Sequence, residues 1–208
     1  METAKQIIEM LGLTRHPTCG FVAETYRSRQ HIPREALSVS YEGSRPFGSV
    51  LYFLVTPETQ IRLHRIRSDQ MYHHYLGEPL EVLLLYPGGT GEIKVVGTEL
   101  TAGMRPQLFI PGGTFHISRL RAGNTFALLG TTEWPGFELP DLELGDPDKL
   151  MADYPALRHE IKAFLGHRKD KTYLQLTPLF LCAAFHIPDA AKMMLTISES
   201  AMMTVDVL

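Results

Sequence analysis

The sequence predicts an all-β sandwich or barrel, and three observations carry that expectation. Short apolar or alternating runs, each about five to eight residues long, recur from Gly20 to about Leu144. Turn-forming residues punctuate them, as in Pro87-Gly88-Gly89 and Pro111-Gly112-Gly113. Between the runs there is no helix-length apolar pattern of the kind that β/α units would need.

Ahead of these runs, Thr3 and Gln6 form a capping-box pattern before Ile7, Ile8, Met10 and Leu11. This predicts a short helix over about 3–12 that closes at Gly12. The strand expectations then follow in order: Phe21–Tyr26, Ser49–Thr56, Gln60–Ile66, Met71–Leu76, Glu81–Tyr86, Ile93–Val96, Gln107–Ile110 and Phe126–Thr132. Within Pro111-Gly-Gly-Thr-Phe-His116, proline and glycine force a sharp turn that delivers His116 at the start of another strand. At Asp146-Pro-Asp-Lys-Leu the composition changes and a helical turn opens, with a second helix expected over Ala156–Leu165. One domain over 1–165, with its barrel at about 20–144, would then precede a C-terminal extension, 166–208, that is helical or irregular. Met193, Met194, Met202 and Met203 lie in that extension, which suits adaptable packing on the body or on another subunit.

Twenty Lys and Arg against 23 Asp and Glu give a net charge of −3 and no basic cluster, which argues against nucleic acid as a partner. Two cysteines, Cys19 and Cys182, are too few for a disulfide framework, so reduced thiols are expected. The first ten residues show no basic-then-apolar leader pattern. The most apolar stretch, Leu174–Ile187, is broken by Gln175, Thr177, Pro178 and His186. It falls short of the roughly 20 residues a membrane span needs. A soluble, cytoplasmic protein is expected.

The chemistry-bearing residues centre on His64, on the neighbours His73 and His74, and on His116. A histidine-bearing strand, a later glycine at Gly77 and a Pro-x-Gly-x-x-His turn together resemble the cupin signature. That resemblance implies two histidines and a glutamate from a first motif and one histidine from a second, binding a divalent metal. Aligned on Gly77, the first ligand position falls on His64 and the last on His116. The second falls on Arg65 or Ile66, and the glutamate position holds Gln70.

Seven further runs sharpen the likeness: His16-Pro-Thr-Cys-Gly-Phe, Glu24-Thr-Tyr-Arg-Ser, Leu51-Tyr-Phe-Leu, His64-Arg-Ile-Arg-Ser-Asp, His73-His-Tyr-Leu-Gly-Glu-Pro-Leu, Pro106-Gln-Leu-Phe-Ile-Pro and Pro135-Gly-Phe-Glu-Leu-Pro-Asp-Leu-Glu-Leu. In this order they resemble the cupin-five family, small cupin domains of unknown function, over roughly residues 8–165. The resemblance implies a double-stranded β-helix (cupin jelly-roll), a homodimer and a pocket inside the barrel, but no settled activity. Family members have been compared with sugar-nucleotide epimerases. This chain departs from the family pattern in having Gln70 in place of Glu, Tyr72 in place of Trp, and a histidine at His116.

The pocket residues expected on these grounds are Arg62, His64, Gln70, Tyr72, His74 and His116. Arg62 alternates with His64, which places an arginine on the same face and suits an anionic ligand. Positions 70, 72 and 74 share one strand face, so His74 could replace the missing ligand in a three-nitrogen metal site with His64 and His116. Without a metal, His64 or His116 could act as a base opposite Tyr72, Tyr52 or Tyr75 in isomerase chemistry. Asp69 is the one carboxylate near the motif strand and belongs to a turn, so no histidine–carboxylate dyad is visible. Three readings stand. The first is a cupin that binds a small, anionic or sugar-derived molecule, with epimerase- or isomerase-type chemistry. The others are a metal-dependent oxygenase or isomerase, and a non-catalytic interaction module. Exposed sheet edges and faces predict a homodimer.

Overall fold

The computed structural model describes residues 2–59 and 61–166, all within one unit of the chain, so the expectations for 167–208, Cys182 included, lie outside the described residues. The elements in order are α1 (Ala4–Leu11), β1 (Thr14–His16), β2 (Gly20–Arg27), β3 (His31–Ile32), β4 (Arg45–Pro46), β5 (Ser49–Val55), β6 (Ile61–Ile66) and β7 (Asp69–Gly77). They continue with β8 (Leu80–Tyr86), β9 (Thr90–Val96), β10 (Gln107–Ile110), β11 (Phe115–Leu120), β12 (Ala127–Trp134), β13 (Leu142–Leu144), α2 (Pro147–Asp153) and α3 (Arg158–Gly166). Helix α1 starts where the capping box says it should. Gln6 N–H donates to Thr3 Oγ1 (3.3 Å), Thr3 N–H donates to Gln6 Oε1 (2.9 Å), and Gly12 closes the helix at φ 61°.

Apart from β3 and β4, which pair with each other, strand alternation sorts the strands into two antiparallel sheets wound as a double-stranded β-helix. One runs β1-β2-β5-β12-β7-β10 and the other β13-β6-β11-β8-β9. Their facing sides enclose Phe53, Val55, Ile61, Leu80, Val82, Leu84, Val96 and Leu129. The two outer faces are partly covered by helices. Ile7 of α1 packs with Leu13 on Leu54 and Leu128, while Leu150, Ile161 and Phe164 of α2 and α3 pack on Leu63, Leu83, Leu85 and Ile117. Each fully buried leucine here contributes on the order of 2 kcal/mol of transfer free energy.

Three local devices set the geometry around the barrel. A bulge in β6 pairs His116 with His64 but Ser118 with Ile61. One extra residue on β6 therefore breaks the period of two. Ile61 and His64 both face inward, Ile61 within the central cluster and Leu63 in the outer one. This corrects the expectation that Arg62 alternates into the barrel with His64, since Ile61 takes that inward place. A second device is the fork from Arg45 to Asp141, with two 2.7 Å hydrogen bonds between residues 96 positions apart and both side chains buried. The third is Glu78, whose carboxylate accepts hydrogen bonds from the backbone N–H groups of Ala122, Gly123, Asn124 and Thr125. Those bonds hold its carboxyl below the usual range, against the opposing effect of burial.

Candidate functional site

The barrel interior is divided along its length. Toward Val55, Gly77, Leu80 and Ala127 it is apolar. Toward the starts of β5, β7 and β11 and the end of β12 it holds buried Ser49, Gln70, Tyr72, His116, Thr131 and Glu133, with His64 on β6 beside His116. Cross-strand register produces this cluster. Ser49, Glu133 and Gln70 lie opposite one another on β5, β12 and β7, and Leu51, Thr131 and Tyr72 form the next row.

His64 and His116 face each other from paired strands with ring centroids 4.3 Å apart. Nδ1 of His64 donates to the Arg62 carbonyl (2.7 Å), and Nδ1 of His116 lies 3.3 Å from the Thr114 carbonyl. In a neutral ring those donors place the lone pair on Nε2. The lone pair of His116 is met by the Tyr72 hydroxyl across the two sheets at 3.0 Å. Burial and the adjacent His64 hold His116 well below its ordinary value of 6.5. Burial, with Cys19 and Glu133 nearby, holds the Tyr72 hydroxyl well above 10. At neutral pH the pair is therefore an uncharged hydroxyl donating to an uncharged imidazole.

Glu133 is 5% exposed, and burial pushes its carboxyl up to about 7, against the pull of the Ser49 hydrogen bond and the Arg27 charge. Ser49 Oγ accepts from the Phe137 N–H (3.0 Å), so its proton points to Glu133 Oε2 (2.5 Å). The turn between β1 and β2 reaches across from the six-stranded sheet to β6, where the Arg62 N–H donates to the Thr18 carbonyl (2.8 Å). It brings His16 and Cys19 to the cluster. Burial and His64 lower His16 to about 4, and burial raises the Cys19 thiol to about 11. At that value Cys19 is a thiol rather than a nucleophilic thiolate at neutral pH.

The structure thus brings His64, Gln70, Tyr72 and His116 together, as the sequence predicts. His74 stands opposite Leu129, toward the apolar end, with its Nε2 donating to the Glu78 carbonyl at 2.9 Å. Tyr52 and Tyr75 meet edge-on at 5.8 Å on the outer face of the six-stranded sheet, so neither is an acid opposite the histidines. His73 lies on that face too, between Thr132 and Gln107, and Asp69 accepts from the Gly112 N–H at the expected turn. Sequence reasoning missed Glu133, Ser49 and the His16–Cys19 turn. The signal for Glu133 was the alternation Leu129, Thr131, Glu133, cut short by an expected strand end at Thr132.

A family model described as Cupin superfamily (DUF985) matches residues 5–145. The chain belongs to this family. Among solved structures it is similar to a hypothetical protein from Leishmania major, with TM-score 0.70, 27% identity, and coverage of 78% of this chain and 98% of that one. A protein from Shewanella oneidensis gives TM-score 0.69, 29% identity, and coverage of 79% and 98%. Among curated proteins, an uncharacterized protein of Saccharomyces cerevisiae is 26% identical over 145 residues, covering 66% of this chain and 72% of its own length.

The donor set of this cupin does not fit the superfamily metal centre. Among the described residues no three His, Cys, Asp or Glu side chains are grouped to hold an ion, and His64, His74 and His116 in particular are not. The amide of Gln70 cannot offset a divalent charge as a carboxylate would. The lone pair of His116 is already hydrogen-bonded to Tyr72. No helix among the described residues is long and apolar enough to cross a membrane.

Proposed function

We propose that the polar end of the barrel binds a small molecule and moves a proton on it, in isomerase-type chemistry. The observation that carries this reading is Glu133, a buried carboxyl raised to about 7 whose charge is felt by Tyr72. A base poised near neutrality can both take and return a proton. The ionised carboxylate removes a proton from a carbon beside a carbonyl. The C–H electron pair becomes a carbon–carbon double bond, and the carbonyl pair moves to oxygen as an enolate. The single O–H of Tyr72, which holds its proton far above neutral pH, turns from His116 Nε2 to donate a hydrogen bond to that oxygen. Return of the proton from Glu133 to the same carbon restores the carbonyl. Its return to the neighbouring carbon, with the hydroxyl proton of the first carbon passing to the enolate oxygen, gives the isomer; neither route gains or loses electrons. His116 orients Tyr72, and Ser49 fixes which oxygen of Glu133 is presented.

The test is proton exchange in D2O. Small hydroxyaldehydes and hydroxyketones are incubated with the full chain, and loss of the carbon-bound proton signal is followed by NMR. Exchange that disappears in Glu133→Gln supports the reading. No exchange from any of them, or equal exchange in the variant, overturns it.

The same chain is proposed to act as a homodimer in the cytoplasm. Support for the pairing comes from a row on the outer face of the six-stranded sheet that no described element covers. Tyr26, Val50, Thr132, Met71 and Phe109 are successive cross-strand neighbours there, with Tyr26 57% and Phe109 49% exposed.

A further inference from the structure

Thr114, just before β11, and His116 and Ser118 on its inner face present a hydroxyl, an imidazole and a hydroxyl in succession, all essentially buried. Ser118 stands between Val82 and Ile61, and Thr131 stands between Leu51 and Tyr72. Thr114 Oγ1, Ser118 Oγ and Thr131 Oγ1 have no hydrogen-bond partner among the described residues. A buried hydroxyl left unpaired costs about 1–3 kcal/mol, so three in one interior form an unmet demand for a hydroxylated guest.

Charge narrows the guest further. The guanidinium whose charge reaches Glu133 is Arg27, and it is already held by Glu24 (2.7 Å) and Glu138 (3.0 Å). Arg45 is committed to Asp141, and the β6 bulge gives the inward place to Ile61 rather than Arg62. An anionic group entering here would meet a carboxyl without an uncommitted guanidinium from Arg27 or Arg45 to balance it.

We infer that the barrel takes a neutral, hydroxyl-rich small molecule, a polyol or an unphosphorylated sugar, whose hydroxyls pair with Thr131, Ser118 and Thr114. This rests on the reading of the barrel as a small-molecule site and replaces the anionic ligand expected from Arg62. The experiment is calorimetric titration of the full chain with D-glucose, sorbitol and myo-inositol, set against glucose 6-phosphate and glucosamine. Thr131→Val and Ser118→Ala are measured alongside, because neither residue takes part in the proposed proton transfer.

At least one neutral compound is expected to saturate below about 10 mM, with its phosphate at least about tenfold weaker. Each variant should lose about tenfold in affinity, the worth of one hydrogen bond, while the free protein melts at the same temperature or higher. Tighter binding of glucose 6-phosphate or glucosamine would overturn the inference, as would no binding of any neutral compound. Variants that bind normally, or that melt lower because the hydroxyls brace the protein itself, would overturn it too. D-glucose that binds without carbon–proton exchange would refute the proton chemistry and leave the ligand class standing, whereas sorbitol and myo-inositol, which have no carbonyl, report on binding alone. Exchange confined to a phosphorylated or amino compound would do the reverse.

Discussion

The Tyr72 hydroxyl lies 3.0 Å from His116 Nε2 and joins the two sheets through the polar end of the barrel. His116 donates from its other nitrogen to the Thr114 carbonyl, so Tyr72 is the donor in this pair. Tyr72→Phe keeps the ring packed on Phe53 (4.9 Å between centroids) and leaves a buried nitrogen without its partner. The expected loss is about 1–3 kcal/mol in urea unfolding, with an unchanged slope against denaturant. An unchanged midpoint would show that the hydrogen bond contributes nothing.

Glu133 makes stability depend on pH in a defined sense. Its carboxyl is raised from 4.5 to about 7, so between those values the folded protein holds a proton that the unfolded chain has released. Stability from this group is present below 4.5 and is lost as pH rises through 7. Glu133→Gln, a permanent mimic of the protonated form, should exceed the native protein by about 3 kcal/mol above pH 7. The gap should close to nothing near pH 4.5. His16, lowered to about 4, and His116 act oppositely, losing stability as pH falls below 6.5. Thermal melts of both proteins from pH 4 to 8 test the sign, and a gap independent of pH would refute it.

Two left-handed glycines should respond differently to alanine. Gly12 at φ 61° has open space where a Cβ would stand, whereas at Gly77, φ 85°, a Cβ would overlap the Phe126 carbonyl. Gly12→Ala should cost about 1 kcal/mol, the backbone penalty alone. Gly77→Ala should cost about 3 kcal/mol or more, since the β7 end and Phe126 must move apart as well. Chemical denaturation of the two variants checks the ranking.

For the proposed dimer, Phe109→Asp places a charge at the β10 end of the exposed row. Light scattering should report a dimer for the native chain and a monomer for the variant, with the same far-ultraviolet circular dichroism. A native monomer at micromolar concentration would remove the dimer from consideration.

Much of the fold was legible because it follows from local rules. The capping box at Thr3 and Gln6 set one helix, and alternation with turn punctuation located β2, β5 to β10 and β12. The facing of His64, Tyr72 and His116 followed from the family resemblance. What escaped depends on tertiary register. The bulge in β6 comes from pairing with β11, and it removed Arg62 from the inward face. Glu133 fell one residue past the expected end of its strand, and His16 and Cys19 read as turn residues until the turn was seen to lie against β6. His74 kept its strand face but lies too far along it to join the histidine pair.

The fork between Arg45 and Asp141 has a consequence in time as well as in energy. It ties segments 96 residues apart, and both partners are buried only once the chain between them has wound into its two sheets. A contact that must wait for so large a loop to close forms late, after the main barrier of a high-contact-order topology has been crossed. Weakening it, as in Asp141→Asn, should therefore leave the refolding rate nearly unchanged and speed unfolding instead. The fork would then set how long the native barrel lasts rather than how quickly it is reached.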